Sequence, residues 1–128
     1  MPPFDVRIDE VRRLVVAEVV GPIDETSTGQ LVARAREAAA ASGLNILYDM
    51  RHAVPGDMSS GALFGLPRQV PQLQGDAARR TRVALLHPPE YGAMARHWEN
   101  TFRNAGLAVK AFTEEDEAED WLFRSKPA

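Results

Sequence analysis

A chain of 128 residues, 45% hydrophobic and 26% charged, is sized for one globular domain with its own core. Its formal net charge of −3 argues against the basic face that nucleic-acid binding needs, and the lack of cysteine excludes disulfides and thiol chemistry. No window approaches the roughly 18 apolar residues of a membrane span, and the opening MPPFDVRIDE lacks a signal-peptide pattern, so the expectation is a single cytoplasmic domain over residues 1–128.

Phe4, Val6 and Ile8 alternate with Asp5, Arg7 and Asp9, which predicts a half-buried edge strand. Leu14 to Val20 is apolar on both faces and rich in β-branched residues, so it reads as a more central strand, joined to the first by a polar turn as an antiparallel hairpin. Gly21-Pro22-Ile23-Asp24 is expected to break that strand. Asp24, Thr26 or Ser27 can then cap a helix whose stripe is Leu31, Val32, Ala35, Ala38 and Ala39, with Gly43 as its stop.

Leu44 to Met50 predicts a strand buried on both faces, followed by a charged loop, RHAVPGD. From Ser59, the run Ala62, Leu63, Leu66 predicts a short helix limited by Pro67 and Pro71. Gln74 to Arg80 reads as a polar loop and Arg82 to Leu86 as the fourth strand. Tyr91, Met94, Ala95, Trp98 and Phe102 recur at three and four, an amphipathic helix closed by Asn104 and Gly106. Leu107 to Phe112 is the fifth strand. Thr113-Glu114-Glu115-Asp116 has the spacing of a capping box and opens a last helix with Ala118, Trp121 and Leu122 on its core face. The order β-β-α-β-α-β-α-β-α predicts an α/β domain with a mixed five-stranded sheet and about four helices.

Two segments resemble the STAS domain of bacterial anti-sigma-factor antagonists and sulfate-transporter tails. Gly21-Pro22-Ile23-Asp24 is similar to the turn after that family's second strand. Asp49 and Asp57-Met58-Ser59-Ser60-Gly61 are similar to its phosphorylation region, with one departure: Met58 stands where the family places its serine. A closer resemblance, spread over nearly the whole chain, is to the bacterial SpoIIAA-like group, related by fold to STAS and to CRAL-TRIO lipid-exchange domains. Leu47-Tyr48-Asp49-Met50-Arg51, Arg82-Val83-Ala84, Tyr91-Gly92 with Ala95-Arg96, Phe112, and Ala118 with Trp121-Leu122 carry it. The group has no common activity, so this resemblance implies a fold.

The STAS resemblance implies a phosphoserine switch at Ser59 or Ser60, where a phosphate would meet a helix N-terminus. The plainer and favoured reading is a serine N-cap. Asp49 and Arg51, at the carboxyl end of a central strand, could converge with Arg96 on a small anion; a structural ion pair between Asp49 and one arginine is favoured. His52, His87 and His97 have no metal-ligand spacing. A serine–histidine–aspartate set of Ser59 or Ser60, His52 and Asp57 can be drawn, but no Gly-x-Ser-x-Gly elbow supports a hydrolase. Gly61, Gly65 and Gly92 form no phosphate loop, and the acids from Glu114 to Asp120 read as a solvated face. Tyr91, Met94, Trp98 and Phe102 could line a lipid cavity, though such a stripe is usually core.

The sequence therefore implies no enzyme, metal or cofactor. The first reading is a regulatory or protein-interaction module whose contact surface holds Asp24, Asp57 to Gly61 and the following helix, compatible with a homodimer. The alternative is a small-ligand or lipid-binding domain with its pocket between the sheet and the helices, near Ser59 to Leu66 and Tyr91 to Trp98; Asp24, Asp49, Arg51, Asp57, Tyr91 and Arg96 are the candidate ligand or partner surface.

Overall fold

The structure, a computed structural model, describes residues 4–55 and 75–123. Its elements are β1 (Phe4–Asp9), β2 (Leu14–Ile23), α1 (Glu25–Ser42), β3 (Asn45–Pro55), α2 (Asp76–Arg80), β4 (Arg82–Leu86), α3 (Gly92–Asn104), β5 (Ala108–Phe112) and α4 (Glu115–Phe123); a 3-10 turn, Pro89–Tyr91, leads into α3. One five-stranded sheet runs in the order β1-β2-β3-β4-β5. β1 is antiparallel to β2 and every other pair is parallel. The expected mixed α/β architecture is present. The helix expected from Ser59 lies outside the described residues.

Local chemistry sets the boundaries. In the hairpin turn the Asp9 carboxylate accepts from the Val11 and Arg12 amides at 3.1 and 3.0 Å, an aspartate turn. The Asp24 carboxylate accepts from the Ser27 amide at 2.8 Å and caps α1, which also holds its carboxyl below the usual range. Gly43, at φ 73°, ends α1 and returns its amide to the Ala39 carbonyl at 2.8 Å.

The parallel crossovers place α1 and α3 on one face of the sheet. Leu31, Val32, Ala35 and Ala39 of α1, with Ala95, Trp98 and Phe102 of α3, are buried in one core cluster with Val15, Ala17, Ile46, Tyr48, Val83, Leu85 and Val109. The alternate residues Leu14, Val16, Leu47, Ala84 and Leu86 form a second, smaller cluster with Ala118 and Leu122 of α4. α4 therefore covers the opposite face.

Three boundaries differ from expectation. β2 does not break at Gly21, and β3 does not end at Met50: Val20 to Ile23 pair with His52 to Pro55, so the two strands continue together. Pro22 fits because β1 pairs with β2 only as far as Val19 among the described residues, leaving one flank of β2 beyond it without a partner strand. The register also contains a bulge. Glu18 faces Asp49 and Val20 faces His52, so Met50 and Arg51 together stand against Val19. Residues 76–80, expected to be loop, form α2, with Asp76 in its first turn and Arg79 and Arg80 in its last, charges that suit the helix ends. Finally, the Ala118 amide bonds the Glu114 carbonyl at 3.1 Å, which puts Glu114 at the N-cap of α4; the Thr113 capping box falls one residue early.

Because two separate clusters carry the core, Leu31→Ala and Leu86→Ala should each cost about 2–5 kcal/mol. The double variant should lose the sum to within about 0.5 kcal/mol, since the sites share no neighbours. Urea unfolding of the three variants checks this, and strong coupling would contradict the two-faced core.

Candidate functional site

The carboxyl ends of the parallel strands are where an open α/β sheet presents its ligand-facing groups. Midway along β3, where its pairing with β4 ends at Asp49, alternation from Leu47 puts Asp49 and Arg51 on the α4 face. Arg51 grips Asp49 with two prongs: Nε donates to Oδ1 at 3.0 Å and Nη2 to Oδ2 at 2.8 Å. The Arg51 amide also donates to Oδ1 at 3.2 Å. Nη2 lies 3.1 Å from Glu115 Oε1, at the start of α4. From the hairpin, Arg12 joins Asp9 at 2.8 Å, Glu115 at 2.9 Å and Glu119 at 3.3 Å.

These contacts fasten the N-terminal half of α4. Its other end is fastened by Asn45, whose Nδ2 donates to the Leu122 carbonyl at 2.9 Å, and by Arg82, whose Nη1 donates to the Trp121 carbonyl at 2.7 Å. Both serve carbonyls that the last helical turn leaves unpaired. Burial pushes the Asp49 carboxyl up, but the hydrogen bonds and charge of Arg51 pull it down further, so it ends below its usual value. Asp49 and Arg51 are thus satisfied by each other and by Glu115.

Arg96 stands elsewhere. Together with His87, Gly92, Lys110, Phe112 and Glu117 it lines an open cleft of about 500 Å³ along the edge of β5. Cations and acids are mixed here, so the cleft has no single sign. One of its acids, Glu99, accepts from the Ala111 amide at 2.6 Å and occupies an edge position of the strand. Among the described residues no contact joins Arg96 to Asp49 or Arg51. Tyr91 is half-buried at the end of the 3-10 turn, and Asp24 serves as the cap of α1. His52 is exposed on β3, His87 is buried with Nδ1 2.7 Å from the Pro88 carbonyl oxygen, and His97 is half-buried. Asp57, Ser59, Ser60 and Gly61 lie outside the described residues. Among those that are described, no group of three or more histidine, aspartate or glutamate side chains could hold a metal.

The unexpected group lies on the other face. Arg36 of α1 is 4% exposed, inside the cluster shared by α1, α3 and the sheet. Its Nη1 donates to the Ala78 carbonyl of α2 at 3.0 Å. Among the described residues its Nε meets no acceptor and no acid pairs with it. Arg36 lines a cavity of about 20 Å³ together with Tyr48 and Trp98, and the buried indole N–H of Trp98 likewise has no partner among the described residues. Burial pushes the Tyr48 phenol up to about 12, against the pull of Arg36, so it stays neutral at physiological pH. The sequence held a signal for this site. Position 36 lies four residues after Val32 and three before Ala39, on the apolar stripe of α1 itself.

These features sit on a fold with a known counterpart. An uncharacterised protein of the DUF3478 family with a SpoIIAA-like fold, from Shewanella loihica PV-4, superposes with a TM-score of 0.54 at 17% identity, over 93% of this chain and 91% of that one. No protein-family model matches the sequence, and no curated protein does. The chain therefore has a SpoIIAA-like fold, and at this identity the likeness speaks for the fold alone. No helix among the described residues is long and apolar enough to cross a membrane.

The depressed Asp49 carboxyl gives a signed pH expectation. A group whose folded pKa lies below its unfolded value stabilises the fold above the unfolded value, and that stability is lost as pH falls through the folded one. Asp49→Asn should cost about 1–3 kcal/mol at pH 7. The gap to the wild type should close as pH drops below about 4, where the unfolded carboxyl titrates. Urea unfolding at pH 7 and pH 3 checks this; an equal loss at both would mean the ion pair contributes nothing.

Proposed function

We propose that the chain is a non-enzymatic regulatory module that works through protein–protein contact, and that the partner is a second copy of the same chain. One observation carries this reading. Past the bulge, β2 and β3 continue as a paired ribbon with apolar side chains open on one side: Val20 is 60% exposed and Val54 is 50% exposed. Alternation from Glu18 puts Val20 on the α4 side of the sheet. Past the bulge Ala53 joins the opposite core, so its neighbours His52 and Val54 turn to the side of Val20.

Around this pair stand charges of both signs. Arg7 lies 3.1 Å from Asp5 and 3.6 Å from Glu18, and Arg51 is near by at the bulge. A small apolar centre with a mixed-sign rim is self-complementary under a two-fold axis, the usual symmetry of homodimers. Alternation places no element of the described chain over Val20 and Val54. Asp24, which follows β2 directly, borders the same region.

Sedimentation velocity of the purified chain between 5 and 200 µM (an arbitrary range of about 40-fold) tests the reading, since the association free energy maps directly onto the midpoint. The expected result is a concentration-dependent dimer. Val20→Asp combined with Val54→Asp should raise the dissociation constant at least about tenfold, because like charges would face each other across the axis. A monomer throughout the range, or a double variant that sediments as the wild type does, would overturn it.

A further inference from the structure

We infer that the cavity between α1, α3 and the sheet is a binding site for an apolar monocarboxylate, with Arg36 as its counter-ion. It lies on the other side of the sheet from the Val20–Val54 contact surface and does not depend on it. The site is built from groups that disagree with their surroundings. Val32, Val83, Leu85, Phe102 and Val109 make apolar walls. Into these walls the fold places a guanidinium that is 4% exposed and an indole N–H on a side chain that is 5% exposed.

A guanidinium offers five N–H donors and cannot be neutralised near pH 7. Here, among the described residues, one carbonyl, that of Ala78, serves one of its nitrogens, and Nε has no acceptor. The Trp98 N–H has none either, and it lines the same cavity. An unmatched buried donor costs about 1–3 kcal/mol, and an unpaired buried charge costs more. Both open positions are donors, so the missing group is an acceptor. Arg36 is cationic, so the acceptor that completes the site is an anion. The neutral Tyr48 hydroxyl can donate to the same anion but cannot replace it.

Geometry narrows the class. A water molecule fits about 20 Å³ and would accept from these donors, yet it would leave the charge unbalanced. A carboxylate does both, and its planar oxygens match the guanidinium fork. A phosphate would bring further oxygens and charge that these walls cannot serve. The body attached to the carboxylate must be apolar, because the remaining lining offers no other polar side chain. Two bodies satisfy this chemistry, an aromatic ring or an acyl chain. Either would enter by spreading the side chains of α1 from those of α3.

Isothermal titration of the full chain distinguishes them, using benzoate, dodecanoate, benzyl alcohol and inorganic phosphate as probes. At least one carboxylate should bind, and which one identifies the body. Benzyl alcohol, apolar but uncharged, should bind at least about tenfold more weakly than that carboxylate. Arg36→Leu should weaken the carboxylate at least about tenfold and abolish its advantage over the alcohol. Trp98→Phe keeps a ring and removes only the N–H; it should weaken the carboxylate by about threefold to tenfold, the size of one hydrogen bond. Circular dichroism confirms that each variant folds. The inference is overturned if neither carboxylate binds, if the alcohol or phosphate binds as well as the carboxylate, or if a folded Arg36→Leu or Trp98→Phe binds it as the wild type does.

Discussion

Parallel strands cannot be joined by a tight turn, and the architecture derives from that constraint. The steps from β2 to β3 and from β4 to β5 each need a crossover that climbs back over the sheet, and the right-handed sense sends both to the same side. α1 and α3 therefore pack on one face. α4 follows β5, leads to no further strand among the described residues, and covers the other face. The two core clusters, one large and one small, are the packing record of this asymmetry.

The smaller face compensates with polar contacts. α4 buries Ala118 and Leu122, with Trp121 only half-buried, so its apolar grip is modest. Arg12 and Arg51 hold its start, and Asn45 and Arg82 hold its end. Exposed ion pairs are individually weak, but hydrogen bonds to the free carbonyls of a helix end have no competing partner within the helix. Arg51 belongs to the same design: two residues beyond Asp49, it shares that face by alternation and reaches Glu115.

Much of the fold was legible in the sequence because hydrophobic period and cap chemistry agreed. Asp24 and Gly43 bound α1 where their side-chain and backbone chemistry says they should, and the stripe of α3 lies in the core. What misled was punctuation. Gly21, Pro22 and Pro55 are turn residues by habit, yet they sit in paired strands, because a bulge and an open flank absorb their demands. The candidate site divided along the same line. Asp49 and Arg51 were placed together at the carboxyl end of the third strand, and the structure joins them in an ion pair. Arg96 was grouped with them from strand ends alone, and the helix that carries it faces a different cleft. Arg36 escaped notice because the apolar residues beside it defined the stripe, and a lone charge in that stripe reads as a long side chain reaching for water. Its burial depends on α2, at a place where the sequence resembles a loop.

Under the proposed binding role, Arg36 is kept for what it binds and not for the fold. A buried charge retained for function should cost stability, and replacing it with an apolar side chain of similar reach should relieve that cost. Guanidinium-induced unfolding of the ligand-free Arg36→Leu variant tests this directly. The predicted midpoint equals or exceeds that of the wild type. A loss of about 3 kcal/mol or more, the penalty expected for breaking a needed buried polar contact, would show that the arginine is an anchor for α2 and would contradict a role in binding.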